Sequence, residues 1–102
     1  MSEIRKLSRS IAEAYNPDKI ILFGSYATGV PTDSSDIDLL VVMSFKGKSA
    51  RKACEILARV KTTLPVDILV RSPVQLRRRL AWNDYFFADI MDKGKTLHEA
   101  AR

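Results

Sequence analysis

The first part of the chain changes from a helical to an extended pattern of apolar positions. Between residues 2 and 15 the apolar side chains recur three or four positions apart, which predicts a helix that stops before Pro17. Residues 19–23, KIILF, form a short β-rich run ended by Gly24. This run predicts a buried strand directly after the helix.

The next segment has the composition of turns. Residues 25–28 predict a single helical turn closed by Gly29, and residues 30–35, VPTDSS, predict a loop. Residues 36–43 are again mostly apolar and predict a second strand.

A second long helix and a third strand follow. The helix stops before Pro65, and residues 66–70 predict the strand. One face of the helix is marked by apolar residues at helical spacing, namely Ala50, Ala53, Leu57, Val60 and Leu64.

The last third of the chain predicts two more helices. Ser72 and Pro73 have the signature of an N-cap followed by proline at the first helical position. Residues 82–91 predict a further helix that ends at Gly94, and residues 95–99 predict a short last strand or a tail. The order of elements predicts an α/β or α+β fold, a small mixed sheet covered by helices, in one domain over residues 1–102.

Composition narrows the class of protein. The chain is 46% hydrophobic and contains no apolar run near the ~20 residues that span a bilayer. The single cysteine, Cys54, cannot form an internal disulfide, so we expect a cytoplasmic protein without a membrane segment. Cys54 lies beside the apolar face of its helix and is expected to be a small core residue, while His98 has no ligand partner in sequence.

The net charge of +5 attracts polyanions in general. Most of the basic residues fit the solvated faces of helices. A nucleic-acid surface around Arg77, Arg78 and Arg79 is the weakest interpretation, because no aromatic and basic recognition motif accompanies these residues.

Two carboxylates interrupt the second predicted strand. Asp36 and Asp38 are two positions apart, so they project from the same face of the strand, roughly 7 Å from each other along the backbone. Two anions at this spacing repel unless they reach solvent or a cation. A divalent cation such as Mg²⁺ or Mn²⁺ resolves the conflict, whereas an Asp-x-Asp alone also fits a strand cap or an exposed edge.

Two further features favour a functional site. Asp67 stands in the otherwise apolar strand VDILV, and a crossover helix would place it beside Asp36 and Asp38. Gly24 and Ser25 follow the first strand, where backbone N–H groups and a hydroxyl can hold a phosphate. Taken singly, these residues also fit a salt bridge and an ordinary turn.

Together, these residues resemble the minimal nucleotidyltransferases of the DNA polymerase beta-like superfamily. The resemblance lies in Gly24-Ser25, ten intervening residues, Asp36-Ile37-Asp38 and the later Asp67. It implies transfer of a nucleotide from a nucleoside triphosphate such as ATP to an acceptor hydroxyl. By this resemblance, Asp36 and Asp38 bind two Mg²⁺ ions, Asp67 is the third metal ligand and candidate base, and Gly24 and Ser25 bind the nucleotide together with Asp36 and Asp38.

One position departs from the pattern of the family. Many relatives read Gly-Ser-x-Ala-Arg-Gly, whereas this chain has Thr28 in place of the arginine. The loss of a guanidinium weakens the binding of a triphosphate unless Arg71 or Arg77 replaces it.

The short chain leaves no second domain to hold an acceptor. Small nucleotidyltransferases of this kind resemble the antitoxins of two-gene modules, which implies a helical HEPN-type toxin as partner, AMP transfer to one of its tyrosines, and an oligomer. Residues 81–91, AWNDYFFADIM, contain more aromatic side chains than one helical face buries. These side chains predict either a partner surface or the completion of the core, with at least one aromatic exposed.

Three other functions compete with protein modification. The chain could neutralise a partner by binding alone, or bind nucleic acid through its arginines. Metal-dependent glycosyltransferases also use Asp-x-Asp, but they are normally far longer than 102 residues.

Overall fold

The computed structural model describes residues 2–31 and 36–101, which form five helices and four strands. The helices are α1 (Ser2–Tyr15), α2 (Ser25–Thr28), α3 (Ser49–Val60), α4 (Pro73–Ala81) and α5 (Tyr85–Lys93). The strands are β1 (Lys19–Phe23), β2 (Ile37–Val42), β3 (Val66–Arg71) and β4 (Lys95–Glu99). The predicted loop at residues 30–35 lies largely outside the described residues, because nothing is described between 31 and 36.

The four strands form one mixed sheet in the order β3-β2-β1-β4. β1 pairs antiparallel with β2 and β4, whereas β2 and β3 run parallel. A parallel pair requires a long crossover connection, and α3 supplies it. The predicted mixed α/β fold is therefore confirmed, and the segment after Gly94 is a strand rather than a tail.

Helices cover both faces of the sheet. Residues of α1 and α3, with Ala27 of α2, pack against the face formed by Ile37, Leu39 and Val41. Residues of α4 and α5 pack against the opposite face, which includes Leu40. Because β2 is apolar on both faces, the sheet lies in the middle of the core.

The chain between α4 and α5 is a break rather than the first turn of a helix. Residues 82–91 were predicted to be helical, but Trp82 ends α4 and Asn83 adopts a left-handed conformation with φ 57°. Asp84 then caps α5, because its carboxylate accepts hydrogen bonds from the backbone N–H groups of Phe86 and Phe87. The polar pair Asn-Asp therefore begins a new helix three residues later than predicted.

The predicted start of α4 is confirmed in detail. Ser72 accepts a hydrogen bond from the N–H of Gln75, and the Gln75 side chain accepts one from the N–H of Ser72. This reciprocal pair satisfies two donors at the helix start.

The predicted apolar face of α3 is only partly correct. Ile56 is the fully buried residue of this helix, whereas Ala50 is exposed. The helix ends at Val60 because Lys61 adopts a left-handed conformation with φ 51°, so Leu64 packs on the core from the following loop. Cys54 is exposed, and its predicted place in the core is wrong. The helix buries Ile56 instead, and a residue two positions away from Ile56 projects from nearly the opposite side of a helix with 3.6 residues per turn.

His98 has a structural contact in β4. Its Nε2 atom lies 3.2 Å from the carbonyl oxygen of Pro17, which joins β4 to the connection between α1 and β1. None of the helices in the described ranges has the length and apolar character required to cross a membrane.

Candidate functional site

Three neighbouring strands bring the predicted carboxylates to one end of the sheet. Phe23 of β1 is the register partner of Asp38 in β2, and Asp38 is the register partner of Asp67 in β3. Register partners in a sheet project from the same face. Asp38 and Asp67 therefore lie side by side, as the sequence predicts, and Asp36 precedes β2 by one residue.

Gly24 lies directly against the carboxyl group of Asp38. A Cβ atom at Gly24 would overlap Oδ2 of Asp38 and would lie 3.3 Å from its Cγ. Gly24 also has φ 75°, a left-handed conformation that side chains other than glycine adopt at a cost. Both the lack of space beside Asp38 and the backbone angle require glycine at position 24. The turn after β1 therefore packs directly against the Asp38 carboxylate of β2.

The helical turn predicted at residues 25–28 is confirmed as α2. Gly24 precedes it without a side chain that could cap it, and the N–H groups of Ala27 and Thr28 donate to the Gly24 carbonyl. Gly29 ends the turn in a left-handed conformation with φ 84°. Ser25 is half-buried, and its carbonyl accepts hydrogen bonds from the Thr28 hydroxyl and from backbone N–H groups that follow.

A cavity of about 300 Å³ opens between β1, α2 and α5. One wall contains Gly24 and Asp38, and another is a face of α5. The cavity is lined by Phe23, Gly24, Ala27, Thr28, Asp38, Phe86, Asp89, Ile90, Lys93 and Gly94. Three other predicted site residues do not line the cavity but neighbour residues that do. Ser25 follows Gly24, Asp36 precedes Asp38 by two residues, and Asp67 is the register partner of Asp38.

Burial and neighbouring charges act on Asp38. Partial burial raises the pKa of Asp38, and the negative charges of Asp67 and Asp36 raise it further. The repulsion shows that the three carboxylates share one region of electrostatic potential. A bound cation would relieve it.

The three carboxylates are oxygen donors of the kind that a divalent metal such as Mg²⁺ prefers. Among the residues in ranges 2–31 and 36–101, no three His, Cys, Asp or Glu side chains approach closely enough to form a metal cluster by themselves. Mg²⁺ commonly takes only one or two protein carboxylates and completes its shell with water and phosphate oxygens. A pair of these carboxylates fits this mode of binding, in which the substrate completes the site, because Asp38 and Asp67 are register partners and the charge of Asp36 also reaches Asp38.

Comparison with known proteins identifies the family. Residues 4–95 match the sequence profile of the nucleotidyltransferase domain. This chain belongs to the nucleotidyltransferase domain family. The match covers the carboxylates, the turn after β1 and α5.

A curated relative and two solved structures resemble this nucleotidyltransferase domain. A Methanocaldococcus jannaschii protein that carries the provisional name protein adenylyltransferase is 32% identical over 80 residues, 78% of this chain and 77% of its own length. A crystal structure of a provisionally assigned nucleotidyltransferase from Sulfolobus solfataricus superposes with a TM-score of 0.58 at 25% identity, covering 74% of this chain and 68% of the other. A crystal structure of a toxin-antitoxin with AMP-PNP has a TM-score of 0.53 at 20% identity, covering 94% and 73%.

The arginines suggested as substitutes at Thr28 lie elsewhere in the nucleotidyltransferase domain. Arg71 is the register partner of Val42, four residues and about 13 Å along β3 from Asp67. Its guanidinium lies 5.6 Å from the ring centroid of Phe87 and donates to the carbonyl of Val70. Arg77 lines a different groove, at the other end of β2. Neither arginine lines the cavity that contains Thr28.

Two charged residues of the cavity were missed by sequence reasoning. Asp89 and Lys93 form an ion pair of 3.0 Å one helical turn apart on α5. In sequence they look like an ordinary surface pair on a helix. Only the packing of α5 against β1 places them beside Gly24 and Asp38.

Proposed function

We propose that this nucleotidyltransferase domain transfers AMP from ATP to a hydroxyl of a partner protein, with Mg²⁺ as cofactor. The observation that carries the proposal is the register of Asp38 with Asp67 next to Gly24, because it joins a metal-binding carboxylate pair to a turn with exposed backbone. The provisional name of the M. jannaschii relative supports a protein as the acceptor.

Each residue of the site has a role in this proposal. Asp36, Asp38 and Asp67 hold the metal, and Ser25 and the Gly24 backbone bind the triphosphate together with Asp36 and Asp38. When bound, Mg²⁺ stabilises negative charge on the attacking and leaving oxygens of an in-line displacement. Asp67 accepts the proton of the acceptor hydroxyl, whose oxygen bonds to the α-phosphorus as the bond to the leaving pyrophosphate breaks.

The partner surface in this proposal is the aromatic patch, defined as Trp82, Tyr85 and Phe86. Trp82 and Tyr85 are 69% and 86% exposed, and Phe86 is 53% exposed although its ring also contacts Phe23 and Phe87. Phe86 also lines the cavity that contains Gly24 and Asp38, which supports a partner that binds next to this cavity. Tyr and Trp are favoured in protein interfaces because they combine large apolar area with a polar group.

We further propose that the partner is a HEPN-type toxin, that the acceptor is one of its tyrosines, and that this chain is the antitoxin of a two-gene module in the cytoplasm. The likeness to a toxin-antitoxin structure supports the fold required for such a role. A nucleic acid partner receives no comparable support, since Arg79 forms an ion pair with Asp84 and Arg71 faces Phe87.

Labelled ATP tests the proposal. The chain is mixed with the protein encoded beside it, Mg²⁺ and ATP labelled at the α-phosphate, and the partner is examined for label and for added AMP by mass spectrometry. We expect labelling by the unaltered chain and by Glu13→Gln, a control that removes one exposed carboxylate from α1. Labelling should disappear in Asp36→Asn with Asp38→Asn, and undiminished labelling would contradict the catalytic role.

A second candidate function is neutralisation by binding alone. It is favoured by the exposed aromatic patch together with the uncharged Thr28 in the cavity. Under this alternative, the double Asn variant protects cells from the partner at the same dose as the unaltered chain. A catalytic antitoxin would lose protection in the same experiment.

A further inference from the structure

Lys93 is the single cationic side chain among the described residues that line the cavity beside Asp38. The other charged residues of the lining, Asp38 and Asp89, are both acidic. A nucleoside triphosphate carries several negative charges, so a pocket with only carboxylates would repel it unless a metal and a protein cation offset the charge. Lys93 is therefore the protein cation in this lining that can offset the charge of a bound triphosphate.

The position of Lys93 is set by close packing of the next residue. Gly94 lies so near β1 that a Cβ atom there would overlap the carbonyl oxygen of Ile90 and the Cγ2 atom of Ile21, and would lie 3.1 Å from the carbonyl oxygen of Leu22. The Gly94 N–H also donates to the Ile90 carbonyl at 2.8 Å. The end of α5 is therefore fixed against the strand that leads into Gly24.

Lys93 is paired with Asp89, which also lines the cavity. The Nζ atom lies 3.0 Å from Oδ1 of Asp89, and both side chains are more than half exposed. An exposed ion pair of this kind contributes little to stability, so it can exchange one partner for another at small cost. A phosphate oxygen that enters the cavity competes with Asp89 for the same ammonium.

We propose that Lys93 binds the phosphates of the nucleotide and that Asp89 holds Lys93 in place and competes for it when no nucleotide is bound. The inference rests on the proposed nucleotide-binding function and adds two residues to it. Charge-assisted hydrogen bonds to phosphate are among the stronger polar contacts in proteins. The carboxylate of Asp89 lowers the affinity for phosphate in two ways, because it occupies the ammonium and adds negative charge.

Substitutions at Lys93 and at Asp89 are expected to change the affinity for phosphate in opposite directions. This distinguishes a role in phosphate binding from a purely structural role of the ion pair. Lys93→Gln should weaken binding about tenfold, and Asp89→Asn should strengthen it about threefold, by the strength of a charge-assisted contact. A purely structural ion pair would instead make both substitutions act in the same direction. Lys93→Arg keeps the charge and should retain most of the affinity.

Calorimetric titration with ATP and with inorganic tripolyphosphate, both in the presence of Mg²⁺, tests the inference. Tripolyphosphate contains no nucleobase or sugar. If Lys93→Gln loses the same affinity for tripolyphosphate as for ATP, the contact of Lys93 is therefore with the phosphates. Lys95→Gln is the matched control, because this exposed lysine lies two residues further on and outside the cavity lining. Its affinity should remain that of the unaltered chain.

A second substitution tests whether a cation on another wall of the cavity can replace Lys93. Thr28 lines the cavity and is exposed, so Thr28→Arg adds a cation there and should restore binding to Lys93→Gln. Unchanged affinity in Lys93→Gln, or weaker binding in Asp89→Asn, would overturn the inference and leave the proposed transfer activity standing. If the unaltered chain bound neither probe, the inference and the proposed function would both fail.

Discussion

Asp38 of β2 and Asp67 of β3 are register partners on adjacent parallel strands, and Gly24 approaches the Asp38 carboxyl group from the turn after β1. The three residues come from segments that are far apart in sequence, and the sheet brings them to one end. This arrangement concentrates negative charge beside Gly24, which has no side chain. Three consequences of the arrangement can be measured.

Removing the charge of Asp38 should stabilise the protein when no divalent metal is present. Burial and the charges of Asp67 and Asp36 raise the folded-state pKa of Asp38 above its ordinary value of 3.8, so the folded protein binds more protons than the unfolded chain in that pH window. Stability is therefore lost as pH rises from the unfolded pKa through the folded one. We expect Asp38→Asn to raise the midpoint of thermal unfolding by about 3 °C at pH 7 in EDTA.

The pH dependence supplies the check on this prediction. The difference between Asp38→Asn and the unaltered chain should vanish below about pH 3, where Asp38 is protonated in both states. A stabilisation that persisted at that pH would have a cause other than charge repulsion.

Mg²⁺ with ATP should stabilise the unaltered chain. Ligand at about one hundred times its dissociation constant contributes about 2.7 kcal/mol to the free energy of unfolding. Excess EDTA should remove the effect, and Asp36→Asn with Asp38→Asn should abolish it, because the metal then keeps only Asp67 of its three proposed carboxylate ligands. Differential scanning calorimetry measures the shift, and an equal shift in the double variant would contradict the assignment of the metal site.

Gly24→Ala should cost more stability than the same substitution at Gly47. Both glycines have positive φ angles, 75° and 83°, so an alanine at either position is strained by roughly 1–3 kcal/mol. Only at Gly24 does the new Cβ meet the Asp38 carboxyl group, whereas Gly47 has open space around it. We expect an additional ~1–3 kcal/mol in chemical denaturation and about a hundredfold loss of transfer activity.

A double-mutant cycle isolates the contact at Gly24. Asp38→Ala removes the overlapping atoms, so Gly24→Ala should cost less stability in that background. Fully additive effects would show that the approach of Gly24 to Asp38 is not the source of the extra cost.

Trp82→Ala should weaken partner binding without affecting nucleotide binding. Trp82 is 69% exposed at the end of α4 and lies outside the cavity lining. Truncation of an aromatic interface anchor typically costs about 2 kcal/mol, or roughly 30-fold in affinity. Val30→Ala is the control, since Val30 is an exposed apolar residue outside the aromatic patch. Unchanged partner affinity in Trp82→Ala would place the interface elsewhere.

Much of the fold follows from local sequence. The bounds of α1, β1 and α2 coincide with the predicted ones, because the proline after α1 and the glycines beside α2 impose conformations that depend on neighbouring residues only. The cap of α4 is local for the same reason, since Ser72 and Gln75 satisfy each other within one turn. The carboxylates could also be predicted to face the same way, because side chains alternate along a strand.

One error arises where packing between distant elements selects one of several local possibilities. Apolar spacing on α3 allows more than one buried face, and contact with α1 and β3 selects Ile56 and leaves Cys54 exposed. The break at Asn83 has a different cause, because the left-handed Asn83 and the cap at Asp84 are local signals that the apolar spacing of residues 82–91 conceals. The buried face of α3, by contrast, is not contained in the pattern of one segment.

By itself, the sequence determined the order of the elements and the identity of the carboxylate site, because caps, turns and alternation are short-range effects. Only the tertiary structure decided that Arg71 and Arg77 lie outside the lining of the cavity beside Asp38 and that Lys93 belongs to this lining. The reason is that long-range proximity depends on strand order and on the close approach of α5 to β1 at Gly94. The sequence alone does not show which part of the protein a charged residue on a helix surface will face, because this depends on how the helix packs.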